Sequence, residues 1–292
     1  MQSYYEATAR ERIAGILDTG SWREILPPTA RTLSPHLAAL DLPAAFDDGV
    51  VIGSGTLEGL SVLVAAQEGG FMGGAVGEVQ GAKIVGLFER AKTHRVSGVV
   101  LLLESGGVRL QEANAGLIAV SEVIRAICAT RVRGIPVVAA IGAKFGCFGG
   151  MGIAAGCCTS IVMSEEGRLG LSGPEVIETA RGVEEFDSLD RALVWRTVGG
   201  KHRFLLGDCA TLVDDRQDAF RSALGQALRS GDRLDLAAVE REQRMLDERL
   251  ERFGAYTDGE EIWRDLGFDK PANVPLLATD ALIALSKRLQ AA

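Results

Sequence analysis

The chain has 292 residues, 47% of them hydrophobic, which is enough apolar content to bury a core and excludes an intrinsically disordered polypeptide. Its formal net charge of −8 argues against general nucleic-acid binding, because phosphate contacts need a basic surface. The 36 glycines follow no collagen-like period and fall mostly in turns between apolar runs.

Along the chain, residues 6–18 carry Ile13, Ile16 and Leu17 among charges, predicting a short amphipathic helix that Gly20 ends. Pro27, Pro28, Pro35 and Pro43 then predict an irregular segment to about residue 48. Residues 49–52 and 60–66 read as two strands of a hairpin linked through the glycine-containing stretch 53–59. That link is no dinucleotide fingerprint, because a strand rather than a helix follows it. Residues 71–77, FMGGAVG, open a helix that continues to about residue 93. Strand 99–103, helix 109–130, strand 135–141, helix 149–157 and strand 159–163 come next, and this alternation predicts an α/β fold with parallel pairing. A further short strand is expected at 168–171, and Pro174 sits where a helix would begin. Asp187 or Ser188 is placed to cap a helix ending near Val198. A strand near 209–213, a helix over 216–229 and a densely charged surface helix over 235–253 complete the pass. The expected organisation is one domain over 1–292, with a core at about 49–230 and helical extensions at 1–48 and 231–292.

Residues 135–158 carry one charge, Lys144, over a length sufficient to cross a bilayer, but their six glycines and proline favour a buried strand, loop and helix. The amino terminus has no apolar core of the signal-peptide kind. The five cysteines, Cys128, Cys147, Cys157, Cys158 and Cys209, form no CxxC pair and are odd in number. A reducing, cytoplasmic location is therefore expected, with no disulfide framework.

Absences narrow the chemistry. His36, His94 and His202 lie far in sequence from the glycine turns, and neither GxSxG nor HExxH occurs. No Cys/His spacing points to zinc, so no metal is expected. What remains are two glycine turns, each following an apolar strand: Gly106/Gly107 and Gly149/Gly150. Glycine backbone approaches a ligand closely and aims its N–H groups at it. Two such turns at neighbouring strand exits suit the enolate oxygen of an acyl thioester, with a helix start behind the second turn. The same glycines also serve tight turns and helix–strand packing, which is the alternative for any one of them.

Four motifs occur in order: FMGGAVGEVQGAK (71–83), ESGGVRLQE (104–112), CFGGMG (147–152) and GRLGLSGPEVIE (167–178). Together they resemble the acyl-thioester-binding half of the biotin-dependent carboxyltransferases, and within that group the β subunits of malonate decarboxylases. The resemblance covers most of 5–230 and includes Phe186-Asp187-Ser188-Leu189-Asp190-Arg191; the last sixty residues add little to it. It implies a crotonase/ClpP-type spiral of ββα units with added helices at the amino and carboxyl termini. By position it implies Gly149 and Gly150 as main oxyanion donors, Gly106 and Gly107 on the facing loop, and Gly73, Gly74 and Gly77 lining the acyl or pantetheine pocket.

The resemblance also has departures. Acetyl-CoA carboxylase β subunits usually carry a four-cysteine zinc ribbon, whereas this chain has no cysteine before Cys128. It is also too short for the second homologous half of single-chain relatives. Both point to a subunit that borrows its other half from a homologous γ subunit. The implied substrate is malonyl on an acyl-carrier protein, attached through a CoA-like prosthetic thiol (phosphoribosyl-dephospho-CoA) that this chain does not itself bind as a cofactor. The implied products are the acetyl-carrier and CO2.

Among side chains, Arg109 stands where it could meet a carboxylate or phosphate, or pair with Glu112 or Glu104 to hold its loop. Glu112 could protonate the enolate carbon or brace the same loop. Ser105, Ser172 and Lys144 are candidate substrate contacts or ordinary loop groups, and Cys147 a candidate contact or an inert buried thiol. Carrier docking would need a local basic patch, for which Lys92/His94/Arg95 and Arg131/Arg133 are candidates. Two rival readings remain: a carboxyltransferase subunit working with carboxybiotin, and a non-catalytic crotonase-like binding subunit.

Overall fold

The computed structural model describes residues 2–31, 33–39, 41, 49–231 and 233–290. The elements run α1 (Ala9–Ile16), β1 (Arg23–Ile25), α2 (His36–Ala39), β2 (Val50–Leu57), β3 (Leu60–Gln67), α3 (Glu78–Thr93), β4 (Gly98–Leu102), α4 (Asn114–Val132) and β5 (Val137–Ile141). They continue α5 (Gly150–Gly156), β6 (Ser160–Ser164), α6 (Pro174–Arg181), α7 (Arg191–Val198), α8 (Gly200–Leu205), β7 (Thr211–Val213), α9 (Gln217–Arg229), α10 (Leu236–Phe253), α11 (Gly259–Asp265) and α12 (Thr279–Gln290).

The sheet follows chain order, β1 to β7. β1 and β2 pair antiparallel, as do β2 and β3, and β3 through β7 are parallel. Side chains alternate across it. Leu63, Ala65, Val99, Leu101, Val137 and Ala139 face a core shared with α3 and α4. Val62, Val64, Val100, Leu102, Val138 and Ala140 face a second core closed by α1 and α9.

A second, minimal layer forms where the parallel strands end. Single-residue bridges join Val76 to Val108, Ser105 to Cys147 and Cys147 to Leu169, all parallel. Each turn of the chain therefore supplies a long strand, a short bridging segment and a helix, which is the ββα spiral expected. The 168–171 segment belongs to this layer, contributing bridges at Arg168 and Leu169 rather than a strand.

Several boundaries differ from the sequence reading for identifiable reasons. The hairpin link is only Glu58-Gly59, both with positive φ (49° and 77°), because residues 53–56 continue β2. Its glycines serve close packing, since a Cβ on Gly55 would lie 2.8 Å from Leu17 Cδ1. α4 starts at Asn114, after a 3-10 turn over Leu110–Glu112. The cap of α7 is Asp190, whose carboxylate accepts from the N–H of Leu193 at 3.1 Å. Asp187 instead accepts from Leu189, and the N–H of Ser188 is spent on Glu178. β1 was not expected, and α11 and α12 lie in the carboxyl-terminal extension expected to be helical, where they had not been placed individually. The stretch around Pro43 lies outside the described residues. Residues 135–158 resolve into β5, a turn and the short α5, and no helix among the described residues is long and apolar enough to cross a membrane.

Candidate active site

β4 and β5 are parallel neighbours in register Leu102 to Ala140, so their exits leave the sheet side by side. The N–H of Ser105 donates to the carbonyl of Gly146, and the N–H of Phe148 donates to the carbonyl of Ser105, both at 2.8 Å. These bonds bring the 106/107 turn against the 149/150 turn. A Cβ on Gly149 would lie 3.3 Å from the Cα of Gly107. Gly149 itself has φ 61° and ψ −138°, a conformation that only glycine adopts without strain.

The four glycine amides are not equivalent. The N–H of Gly106 donates to Gly73 and that of Gly149 to Leu171, each at 2.9 Å. Both are thereby committed to holding the turns. Gly150 opens α5, so its N–H has no partner within the helix, and it donates to no backbone carbonyl elsewhere among the described residues. The N–H of Gly107 meets only Ser105 Oγ, at a long 3.3 Å. Two donors, on Gly107 and Gly150, are thus left available in adjacent turns.

Side chains offered as either substrate contacts or structural groups are engaged inside the protein. Ser105 is buried, and its hydroxyl donates back to the Gly107 carbonyl at 3.2 Å. Arg109 is buried, donating to the Ala75 carbonyl at 2.9 Å and to Glu112 at 3.1 Å, with its guanidinium over the Phe71 ring. Glu112 accepts from the N–H of Glu78 at the start of α3, where a carboxylate suits the helix dipole. This pair braces the loop. Cys147 is fully buried in the α3/α4 core, where burial pushes its thiol well above the usual range. Gly74 is also a packing residue, since a Cβ there would lie 1.9 Å from the Glu104 carbonyl oxygen. Gly77 likewise leaves room for Arg109 Nη1, which a Cβ would approach to 2.6 Å. Gly73 remains at the turn, holding the 106/107 loop through its carbonyl.

A buried polar cluster behind the turns went unread in the sequence. Glu104, 4% exposed, pairs with Arg12, which is 0% exposed. Its carboxylate also accepts from the N–H groups of Gly69 and Phe145, both at 3.2 Å. Arg12 donates further to the Gln67 carbonyl at 2.9 Å, and Gln67 Oε1 accepts from the Glu104 N–H at 3.1 Å. One signal was present. Arg12 falls on the same stripe as Ala9, Ile13 and Ile16, the buried face of α1.

Exposed apolar side chains surround the turns: Leu110 at 87%, Leu171 at 69%, with Met72, Phe145 and Ile153. A cavity of about 540 Å³ lies between Gly152, Ile153 and Leu171 on this side and Ala238 and Met245 of α10 on the other.

The family model described as carboxyl transferase domain matches residues 5–200. The malonyl-S-ACP:biotin-protein carboxyltransferase of Malonomonas rubra is 39% identical, over 99% of this chain and 97% of that one. A chain of the solved Pseudomonas malonate decarboxylase hetero-tetramer in complex with malonate superposes with TM-score 0.81 at 41% identity, covering 90% of this chain and 97% of that chain. The acetyl-coenzyme A carboxylase carboxyl transferase subunit β of Fusobacterium nucleatum is 31% identical over 60% of this chain and 59% of its own length.

The fold is the crotonase-like fold of carboxyl transferases, and the chain belongs to the carboxyl transferase domain family. Within it, the chain is of the malonate decarboxylase type. The Malonomonas alignment spans nearly the whole chain, so it extends over the last sixty residues, where little resemblance was expected.

Proposed function

We propose that this chain is the acyl-thioester subunit of a malonate decarboxylase, converting malonyl-carrier to acetyl-carrier and CO2. The observation that carries the reading is the pair of available amides, Gly107 and Gly150, at adjoining strand exits. In the reaction the bond between the carboxylate and the α-carbon breaks and CO2 leaves. The electron pair moves through the α-carbon onto the thioester oxygen as an enolate. N–H donors already aimed at that oxygen stabilise the charge without reorganising, and one such donor is worth about 10²–10³ in kcat. The α-carbon then takes a proton and the acetyl thioester is released. Ser105, Arg109 and Glu112 hold the Gly107 turn in shape, and the Gly73 and Leu171 carbonyls fix the two engaged amides.

The substrate reading is malonyl on the CoA-like phosphoribosyl-dephospho-CoA thiol of an acyl-carrier protein, with a homologous γ subunit completing the site. The malonate-bound Pseudomonas hetero-tetramer and the exposed apolar rim around the turns support this assignment.

Gly150 provides the test. A Cβ at this position would lie 2.4 Å from Val120 Cγ1, so substitutions belong in a Val120→Ala background. Gly150→Ala there keeps the N–H, whereas Gly150→Pro removes it at a helix position that tolerates proline. A loss on the order of 10²-fold in kcat from the alanine to the proline variant, in assembled complex, is expected. Equal turnover would overturn the oxyanion role and favour a non-catalytic binding subunit.

The name of the Malonomonas relative favours a second reading, carboxyl transfer to a biotin-protein through the same enolate. CO2 release from malonyl-carrier without any biotinylated protein supports decarboxylation. Strict dependence on such a protein supports transfer.

A further inference from the structure

The geometry points to Glu104 and Arg12 as positioning residues that set the separation of the Gly107 and Gly150 amides, a proposal that rests on the oxyanion reading above. Glu104 lies three residues before Gly107, and Phe145 lies five before Gly150. The Glu104 carboxylate accepts from the N–H of Phe145 and from the N–H of Gly69, each at 3.2 Å. One side chain therefore ties the exits of β3, β4 and β5. Arg12 holds that carboxylate from α1 and also donates to the Gln67 carbonyl at the end of β3. Neither group reaches the substrate side of the turns, since Arg12 is 0% and Glu104 4% exposed.

Packing alone does not require this arrangement. A strand exit is usually satisfied by backbone or water, whereas here a charge has been buried and matched by a second buried charge. An anion attracts backbone N–H groups more strongly than a neutral acceptor does, so one carboxylate can hold two loops through bonds of 3.2 Å each. Its two oxygens serve different loops: Oε1 accepts from Phe145 and Oε2 from Gly69 and Arg12. Because Phe148 in turn donates to Ser105, movement of the 145 segment is transmitted to both glycine turns. A shift of about 1 Å in such a site costs on the order of 10²-fold in rate.

The experiment uses the assembled complex and malonyl-carrier, with kcat, KM and the thermal midpoint measured for each variant. Glu104→Gln breaks the ion pair but leaves Arg12 charged and buried. Arg12→Met with Glu104→Gln removes both charges together, and Arg12→Lys keeps both while losing the rigid guanidinium, whose Nη2 meets both Glu104 and the Gln67 carbonyl while its Nε meets the Thr8 carbonyl. The expected result is a fall in kcat on the order of tenfold to a hundredfold with KM unchanged. Arg12→Lys supplies this readout if the other two do not assemble. The loss must also shrink when the same change is made in the Gly150→Pro, Val120→Ala background, where the amide to be positioned is already gone. Unchanged kcat per assembled complex, or a loss equal in both backgrounds, overturns the proposal. If Gly150→Pro lowers turnover and the Glu104 and Arg12 variants do not, the positioning role fails and the oxyanion reading stands. If neither set lowers turnover, the oxyanion reading itself has failed.

Discussion

The carbonyl of Ser105 accepts the N–H of Phe148 at 2.8 Å, and this bond joins two crossover units of the spiral at the point where each needs a fixed end. Hydrogen bonds of the main sheet hold strands in register, but between β4 and β5 they end where the N–H of Leu103 donates to the Ala140 carbonyl. Beyond them the glycine turns have no ladder, and this minimal second layer, with the Glu104 carboxylate behind it, keeps them together. The site's rigidity is therefore a property of a few single-residue bridges and one buried carboxylate, which makes their substitutions informative.

Gly149→Ala is expected to destabilise the protein by about 1–3 kcal/mol, because φ 61° with ψ −138° is a combination essentially reserved for glycine. The new methyl would also meet Gly107 Cα at 3.3 Å and push the two turns apart. A drop in the thermal midpoint accompanied by a fall in kcat is the expected result. Wild-type stability in this variant would show that the conformation is not held.

Cys147 and Cys158 are expected to resist alkylation in the native protein. Both are buried, and burial pushes both thiols far above neutral pH, so the reactive thiolate is scarce. Mass spectrometry after treatment with a small haloacetamide should find both unmodified until denaturant is added. Rapid native labelling of Cys147 would contradict its place in the core and reopen it as a substrate contact.

The parts of this arrangement legible in sequence were those governed by local pattern. Apolar runs gave β3 to β6, glycine clusters gave the turns, and Pro174 gave the start of α6. What was not legible depends on which chain segments meet. Nothing local distinguishes the amide of Gly149 from that of Gly150; the difference is made by the Leu171 carbonyl, which arrives from the next unit. Glu104 likewise reads as a polar residue after a strand, and its partner Arg12 lies in the amino-terminal helix. Arg109 offered both Glu104 and Glu112 as partners, and the 3-10 turn at Leu110–Glu112 decided for Glu112. Short elements such as β1 and α11 lack the length for a periodic signal and exist because tertiary neighbours cover them.

His202 provides a pH prediction. It is buried against the edge of Trp263, with Arg203 nearby, and burial pulls its imidazole down to about 4. The unfolded chain binds a proton near the ordinary value of about 6.5 while the folded one does not. Stability from this group is therefore full above about 6.5 and falls as pH drops toward 4, by roughly 3 kcal/mol in all. Replacing His202 with Phe should flatten unfolding free energy across that window in denaturant titrations. An unaltered pH slope would place the responsible group elsewhere.

The structure brings together parts of the two basic stretches considered as candidates for carrier docking. Arg133 Nη1 donates to the Lys92 carbonyl at 3.3 Å, so the end of α3 and the end of α4 present His94, Arg95 and Arg133 on one exposed patch. Arg131 is excluded from that set. Its Nη1 donates at 2.7 Å to the carbonyl of Cys157 at the end of α5, and reversing it would disturb the helix that Gly150 begins. Glutamate at both Arg95 and Arg133 should weaken binding of an acidic carrier roughly tenfold at low salt, since each exposed charge contributes up to about 1 kcal/mol. The deficit should shrink as salt rises, because the screening length falls to about 8 Å at physiological ionic strength. Titration calorimetry of the carrier against the complex, at two salt concentrations, reads both effects. Unchanged affinity at low salt would move the docking surface away from this end of α3 and α4, toward the apolar rim around Leu110 and Leu171.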